Sequence, residues 1–101
     1  MHARVTTVSV HPGKLDETAS IIQTSVAPVM KQQQGFKGWL LLTDSNKNKV
    51  VSITLWETIS DMTEGELSGY YQDQIEQLIY HAAGPHTVEH FEVRNQFSGA
   101  E

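Results

Sequence analysis

Residues 36–56, FKGWLLLTDSNKNKVVSITLW, hold two apolar runs separated by the short polar stretch SNKNK. Two such runs flanking an Asn- and Lys-rich turn predict an antiparallel hairpin, with strands over about 36 to 44 and 49 to 56. Alternation along the second strand sets Val51, Ile53 and Leu55 on one face and Ser52, Thr54 and Trp56 on the other. The apolar trio is expected under the helices of the fold, which leaves Trp56 on the opposite face. A tryptophan sharing a face with two hydroxyls plugs a gap, lines a ligand pocket or meets another subunit.

Working outward from the hairpin, residues 4–10, RVTTVSV, are β-branched and read as a first strand that ends at His11-Pro12-Gly13. Leu15, Ala19, Ile22, Val26 and Val29 then step by four and three residues, one apolar helical stripe with Asp16 and Glu17 in its first turn. Pro28 is expected to kink or break this helix, and Gly35 to follow it as the C′ residue. After the hairpin the period is helical again from Ser60, with Ser60 or Asp61 as N-cap. Gly65 and Gly69 suggest a short helix followed by a longer one carrying Leu67, Tyr71, Ile75, Leu78 and Ala82 on one face. Ala83-Gly84-Pro85 stops it, and residues 86–94, HTVEHFEVR, alternate as a fourth strand before the polar tail QFSGAE. The order β-α-β-β-α-β predicts an α+β, ferredoxin-like fold: a four-stranded antiparallel sheet with helices on one face and the other face bare.

At 101 residues the chain reads as a single domain, 1–101, with its core over about 4–95 and a polar tail at 96–101. So small a domain keeps much surface wet, which favours an oligomer that covers the bare sheet face. Seven scattered basic residues against 12 acidic ones form no basic stripe, so nucleic acid is not an expected partner. The absence of cysteine excludes disulfides, thiolate nucleophiles and cysteine-ligated metal sites. No apolar run reaches membrane-spanning length, and the N-terminus MHARVTTVSV lacks a signal-type apolar run, so no membrane partner and a cytoplasmic location are expected.

Four segments occur together: VHPGKLDE (10–17) after strand one, Pro28 with QGFKGW (34–39) leading into strand two, SITLWET (52–58) closing strand three, and a tyrosine-bearing helix before VEHFEV (88–93). In this order and spacing the chain resembles the antibiotic biosynthesis monooxygenase-like family over roughly residues 4–95. The resemblance implies a homodimer joined through the uncovered sheet faces, a dimeric α/β barrel with a small pocket. Eight strands is the size at which a barrel interior is either filled or holds one small ligand. The family includes cofactor-independent monooxygenases of aromatic polyketides, quinol-type oxidases, haem-degrading enzymes and proteins without known activity, and the fold alone does not choose among them. Haem-degrading members carry an asparagine on strand one, then a tryptophan and a histidine on the second helix. Here strand one has Thr6 and Thr7, residues 61–75 contain neither Trp nor His, and His81 falls near the helix end. The chain departs from that branch.

Among the candidate site residues, Trp56, with Thr54 beside it, is expected to bind substrate as a pocket wall, or else to plug the dimer. His90 shares a face of strand four with Val88, Glu92 and Arg94. It is either a general base or a surface or interface histidine hydrogen-bonded to a neighbour. If Phe91 and Val93 face the helices, His90 looks towards the dimer side. Tyr71 fits the apolar stripe, whereas Tyr70, about 100° away, could edge a pocket and offer its hydroxyl. The expected catalytic pair is therefore His90 and Tyr70, with Trp56, Tyr71, Arg94 and Thr54 binding substrate.

His86-Thr87-Val88-Glu89-His90 matches H-x-x-E-H, but that zinc chemistry needs a helix. On a strand the two histidines stand roughly 13 Å apart, too far to share one ion with bonds of about 2 Å. No metal is expected. No flavin or nicotinamide fingerprint occurs, so no cofactor is expected, and an oxidative activity would have to be cofactor-free or use a cofactor that the substrate itself supplies. Two functions follow: a cofactor-independent monooxygenase acting on a small aromatic or quinone-type molecule, or a non-catalytic, small-ligand-binding or stress-responsive dimeric barrel.

Overall fold

The computed structural model describes residues 1–67, 69, 76, 82–97 and 99. Strands β1 (His2–Ser9), β2 (Phe36–Asp44), β3 (Lys49–Trp56) and β4 (Thr87–Glu92) form one antiparallel sheet in the order β2-β3-β1-β4. Helices α1 (Leu15–Ile21) and α2 (Ala27–Met30) lie between β1 and β2, and α3 (Ile59–Leu67) follows β3. This is the expected α+β, ferredoxin-like arrangement. Both hairpin strands fall where the apolar runs place them. β4 is shorter than its alternation suggests, so Arg94 lies exposed beyond the sheet. Most of the long helix expected over 67–82, including Tyr70 and Tyr71, lies outside the described residues.

Local chemistry accounts for the connections. In the hairpin turn the Asp44 carboxylate accepts the backbone N–H groups of Asn46 and Lys47, and Asn48 takes the left-handed conformation at φ 53°. Pro28 has no N–H to give the preceding turn. Before it the chain widens into a π-helical segment, Ile22–Val26, in which the Ala27 N–H donates to the Ile22 carbonyl. The α-helical path then resumes with Pro28 in its first turn, and Ile22, Val26, Ala27 and Met30 are all buried. Gly35 is not the C′ residue: α2 ends at Met30, and Gly35 makes a separate left-handed turn (φ +78°) into β2. A Cβ at Gly35 would run into the Asp61 side chain. The cap of α3 is Thr58, whose Oγ1 accepts the Asp61 N–H at 3.0 Å, rather than Ser60 or Asp61.

The faces of the sheet are the reverse of the expected ones. Val8, Val10 and Val50 pack with Ile22, Val26 and Met30 of the helical layer, and Phe36, Trp39 and Leu41 pack against that cluster. Val50 therefore faces the helices, and alternation carries Ser52, Thr54 and Trp56 to the same side. Val51, Ile53 and Leu55 lie on the open face. Cross-strand partners share a face, so register adds Ala3, Val5, Leu40, Leu42 and Phe91 to the open side. The inversion extends to β4: His90 pairs with Arg4 and faces the helices, while Glu89 and Phe91 face outward. Assigning the more apolar strand face to the helices assumes that only one side of the sheet seeks cover. Here the open side is the more apolar along β3, and the helix side holds polar groups that satisfy one another.

Candidate functional site

Arg4 is the unusual residue of β1. It shares a face with Thr6 and Val8, so its guanidinium enters the layer between sheet and helices, where it is only 2% exposed. A charge buried this far is tolerable only with partners. α3 supplies two of them: Arg4 Nη1 donates to the Met62 carbonyl and to Glu66 Oε1, each at 3.3 Å. The guanidinium carbon also stands 5.3 Å from the ring centre of Trp56, a cation–π contact.

Trp56 ends β3 with no solvent exposure. Its indole N–H donates to Thr54 Oγ1 at 2.8 Å, and Phe36 meets its ring edge-on at 5.7 Å between centroids. A second tryptophan repeats the device one strand away, Trp39 Nε1 donating to Ser52 Oγ at 2.9 Å. Hydroxyls alternating along β3 thus serve as acceptors for one buried and one partly buried indole.

His90 completes the group. Its Nε2 lies 2.7 Å from Glu66 Oε1, the same oxygen that takes Arg4, and close to half of its side chain remains open to solvent. Three elements therefore converge: Arg4 from β1, Glu66 from α3 and His90 from β4. Of the expected site residues, Thr54, Trp56 and His90 lie on this helix-facing side. Thr54 and Trp56 are buried beneath Arg4, whereas His90 is at the rim. Arg94 stands apart, and Tyr70 and Tyr71 fall outside the described residues. Arg4 and Glu66 were not singled out from the sequence, where Glu66 reads as part of a solvated acidic face. The available signal was Arg4 itself, a lone charge in register with Val8 and Val10.

Chemically, the arrangement offers a partly exposed imidazole held by a carboxylate, beside a buried guanidinium and the buried Trp56 ring. Among the described residues no three His, Asp or Glu side chains come together to hold a metal ion. No helix among them is long and apolar enough to cross a membrane.

No curated protein matches the sequence. Solved structures match the fold closely at low identity. A Streptomyces coelicolor monooxygenase in complex with nanaomycin D is 14% identical, with a TM-score of 0.79 over 98% of this chain and 92% of that one. SnoaB, a cofactor-independent oxygenase from Streptomyces nogalater, is 19% identical, with a TM-score of 0.79 over 97% of both chains. A protein of unknown function from Nitrosomonas europaea is 15% identical, with a TM-score of 0.78 over 99% of this chain and 95% of that one. The family model for antibiotic biosynthesis monooxygenases matches residues 1–77, most of the 101, and the chain belongs to that family.

Proposed function

We propose that the protein is a cofactor-independent monooxygenase acting on a small aromatic or quinone-type molecule. The observation that carries this reading is the partly exposed His90, held by Glu66 over the Arg4–Trp56 layer in a chain of this family. An electron-rich phenol or anthrone supplies its own electrons once deprotonated. Dioxygen then puts one oxygen atom into a ring carbon and leaves the other as water, so that CH₂ and O₂ give C=O and H₂O. The protein's tasks are to take the proton, orient the ring and keep bulk water out. His90 is the base in this reading, with Thr54 and Trp56 as the packed floor. Tyr70 and Tyr71 remain proposed contributors on the family resemblance, and Arg94 as a candidate polar group.

The reading includes a homodimer joined through the open sheet face, a single domain over 1–101 and a cytoplasmic location. Support for the dimer is the outward Leu40 and Leu42 on one edge strand and Phe91 on the other, each about half exposed in the isolated chain. A second reading, a non-catalytic ligand-binding or stress-responsive dimeric barrel, is favoured by one observation: Trp56 is wholly buried and its ring is packed against Phe36 and Arg4 rather than open to a ligand.

Oxygen uptake measured against a panel of anthrones and hydroquinones separates the two. Turnover above the uncatalysed rate that is lost in His90→Ala supports the enzyme. Saturable binding without uptake, seen by tryptophan fluorescence, supports the binding module.

A further inference from the structure

We propose that Glu66 is a positioning residue that holds His90 as the Nε2–H tautomer and leaves Nδ1 as the proton acceptor, with Arg4 locking Glu66 in place. The inference rests on the reading of His90 as a base, but its central test needs no substrate. A carboxylate oxygen only accepts hydrogen bonds. At 2.7 Å from Glu66 Oε1, His90 Nε2 must therefore carry the hydrogen and donate it. In a neutral imidazole the lone pair is then on Nδ1, and among the described residues Nδ1 has no protein partner.

The carboxylate is itself held. Arg4 Nη1 donates to the same Oε1 and to the Met62 carbonyl four residues earlier on α3, so the buried guanidinium ties Glu66 to the backbone of its own helix. Arg4 is 2% exposed and lies over the Trp56 ring, so its guanidinium holds Glu66 from the buried side. The fixed end of the chain is thus the sheet, and the open end is the imidazole. The proton step balances simply. The substrate O–H bond breaks with its electron pair staying on oxygen, a bond forms from Nδ1 to the proton, and the resulting imidazolium sits beside the Glu66 carboxylate.

The test is the tautomer of His90, read from the ¹⁵N shifts of its two ring nitrogens in ring-labelled protein. The expected result is a pyrrole-type Nε2 and a pyridine-type Nδ1 in the wild type, and a mixed population in Glu66→Ala. A wild type with its hydrogen on Nδ1, or an unchanged tautomer in Glu66→Ala, overturns the proposal. The wild-type spectrum alone suffices should the variant not fold, and Glu66→Gln, whose amide oxygen can still accept from Nε2, is expected to keep part of the bias. If an oxidisable substrate is found, Glu66→Ala should lower kcat by roughly ten- to a hundredfold with little change in KM, a part of the roughly 10²- to 10⁴-fold that general-base catalysis supplies. A wild type with the expected tautomer and no oxygen uptake would leave this inference standing and remove the monooxygenase reading.

Discussion

Leu40→Asp tests whether the open face is where a second copy docks. Leu40 points outward from the edge strand β2, in register with Ile53 and, one strand further, Val5, and it is 56% exposed. Fully covering a leucine side chain is worth about 1.5–3 kcal/mol, so covering the remaining half is worth roughly 1–1.5 kcal/mol per protomer. A twofold interface counts the site twice, about 2–3 kcal/mol. At 1.4 kcal/mol per factor of ten, losing that contact alone weakens association by roughly 30- to 150-fold. The aspartate adds a carboxylate that must be desolvated on each side, so the full effect should lie at or above the upper end.

Sedimentation equilibrium over a dilution series reads the association constant. Urea unfolding of the diluted protein serves as the control, because a half-exposed edge position should leave monomer stability nearly unchanged. Leu40→Met, which keeps the apolar volume, should associate like the parent. If Leu40→Asp stays folded and its association constant stays within threefold of the parent, the open face is not the interface. The outward Leu40, Leu42 and Phe91 would then need another occupant.

Two further predictions concern stability. Thr54→Val keeps the shape of the side chain but removes the acceptor of the buried Trp56 N–H, which should cost about 1–3 kcal/mol in urea unfolding. Adding Trp56→Phe, which removes the orphaned donor, should make the two losses less than additive, and strict additivity would contradict the pairing. On the surface, Lys37 Nζ lies 2.8 Å from Glu57 Oε2. This hydrogen bond, reinforced by the opposite charge, lowers the Glu57 pKa and raises that of Lys37. The lowered carboxylate gives stability present above its unfolded pKa and lost as pH falls through its folded one. The raised amine gives stability present below its unfolded pKa and lost as pH rises through its folded one. Glu57→Gln should therefore flatten a shallow rise in thermal midpoint between acid and neutral pH and a shallow fall at strongly alkaline pH. An unchanged profile would show that the pair contributes nothing in solution.

Among the described residues, the order of strands and helices was legible because it depends on short-range chemistry. The runs around SNKNK set the hairpin, and Pro28 broke its helix through the donor it lacks. The direction in which the sheet faces was not legible from β3 alone. After Lys49 its odd positions are aliphatic, while its even ones mix Val50 with Ser52, Thr54 and Trp56, and the aliphatic set turned outward. β1 held the deciding information: Val8 and Val10 share a face with Arg4, and only pairing with β3 shows that this face also carries Trp56. An arginine buried with two valines needs polar partners from the covering layer, and the Glu66 carboxylate and Met62 carbonyl of α3 are two of them. Once Arg4 is placed inward, Trp56 follows by register, and so does His90 on the other side of β1. The polar residues of the strands, rather than their aliphatic ones, thus tell which face the helices cover. They can do so because a charge sealed between sheet and helices requires specific partners, whereas an aliphatic row can be covered by any apolar surface, a second copy of the chain included.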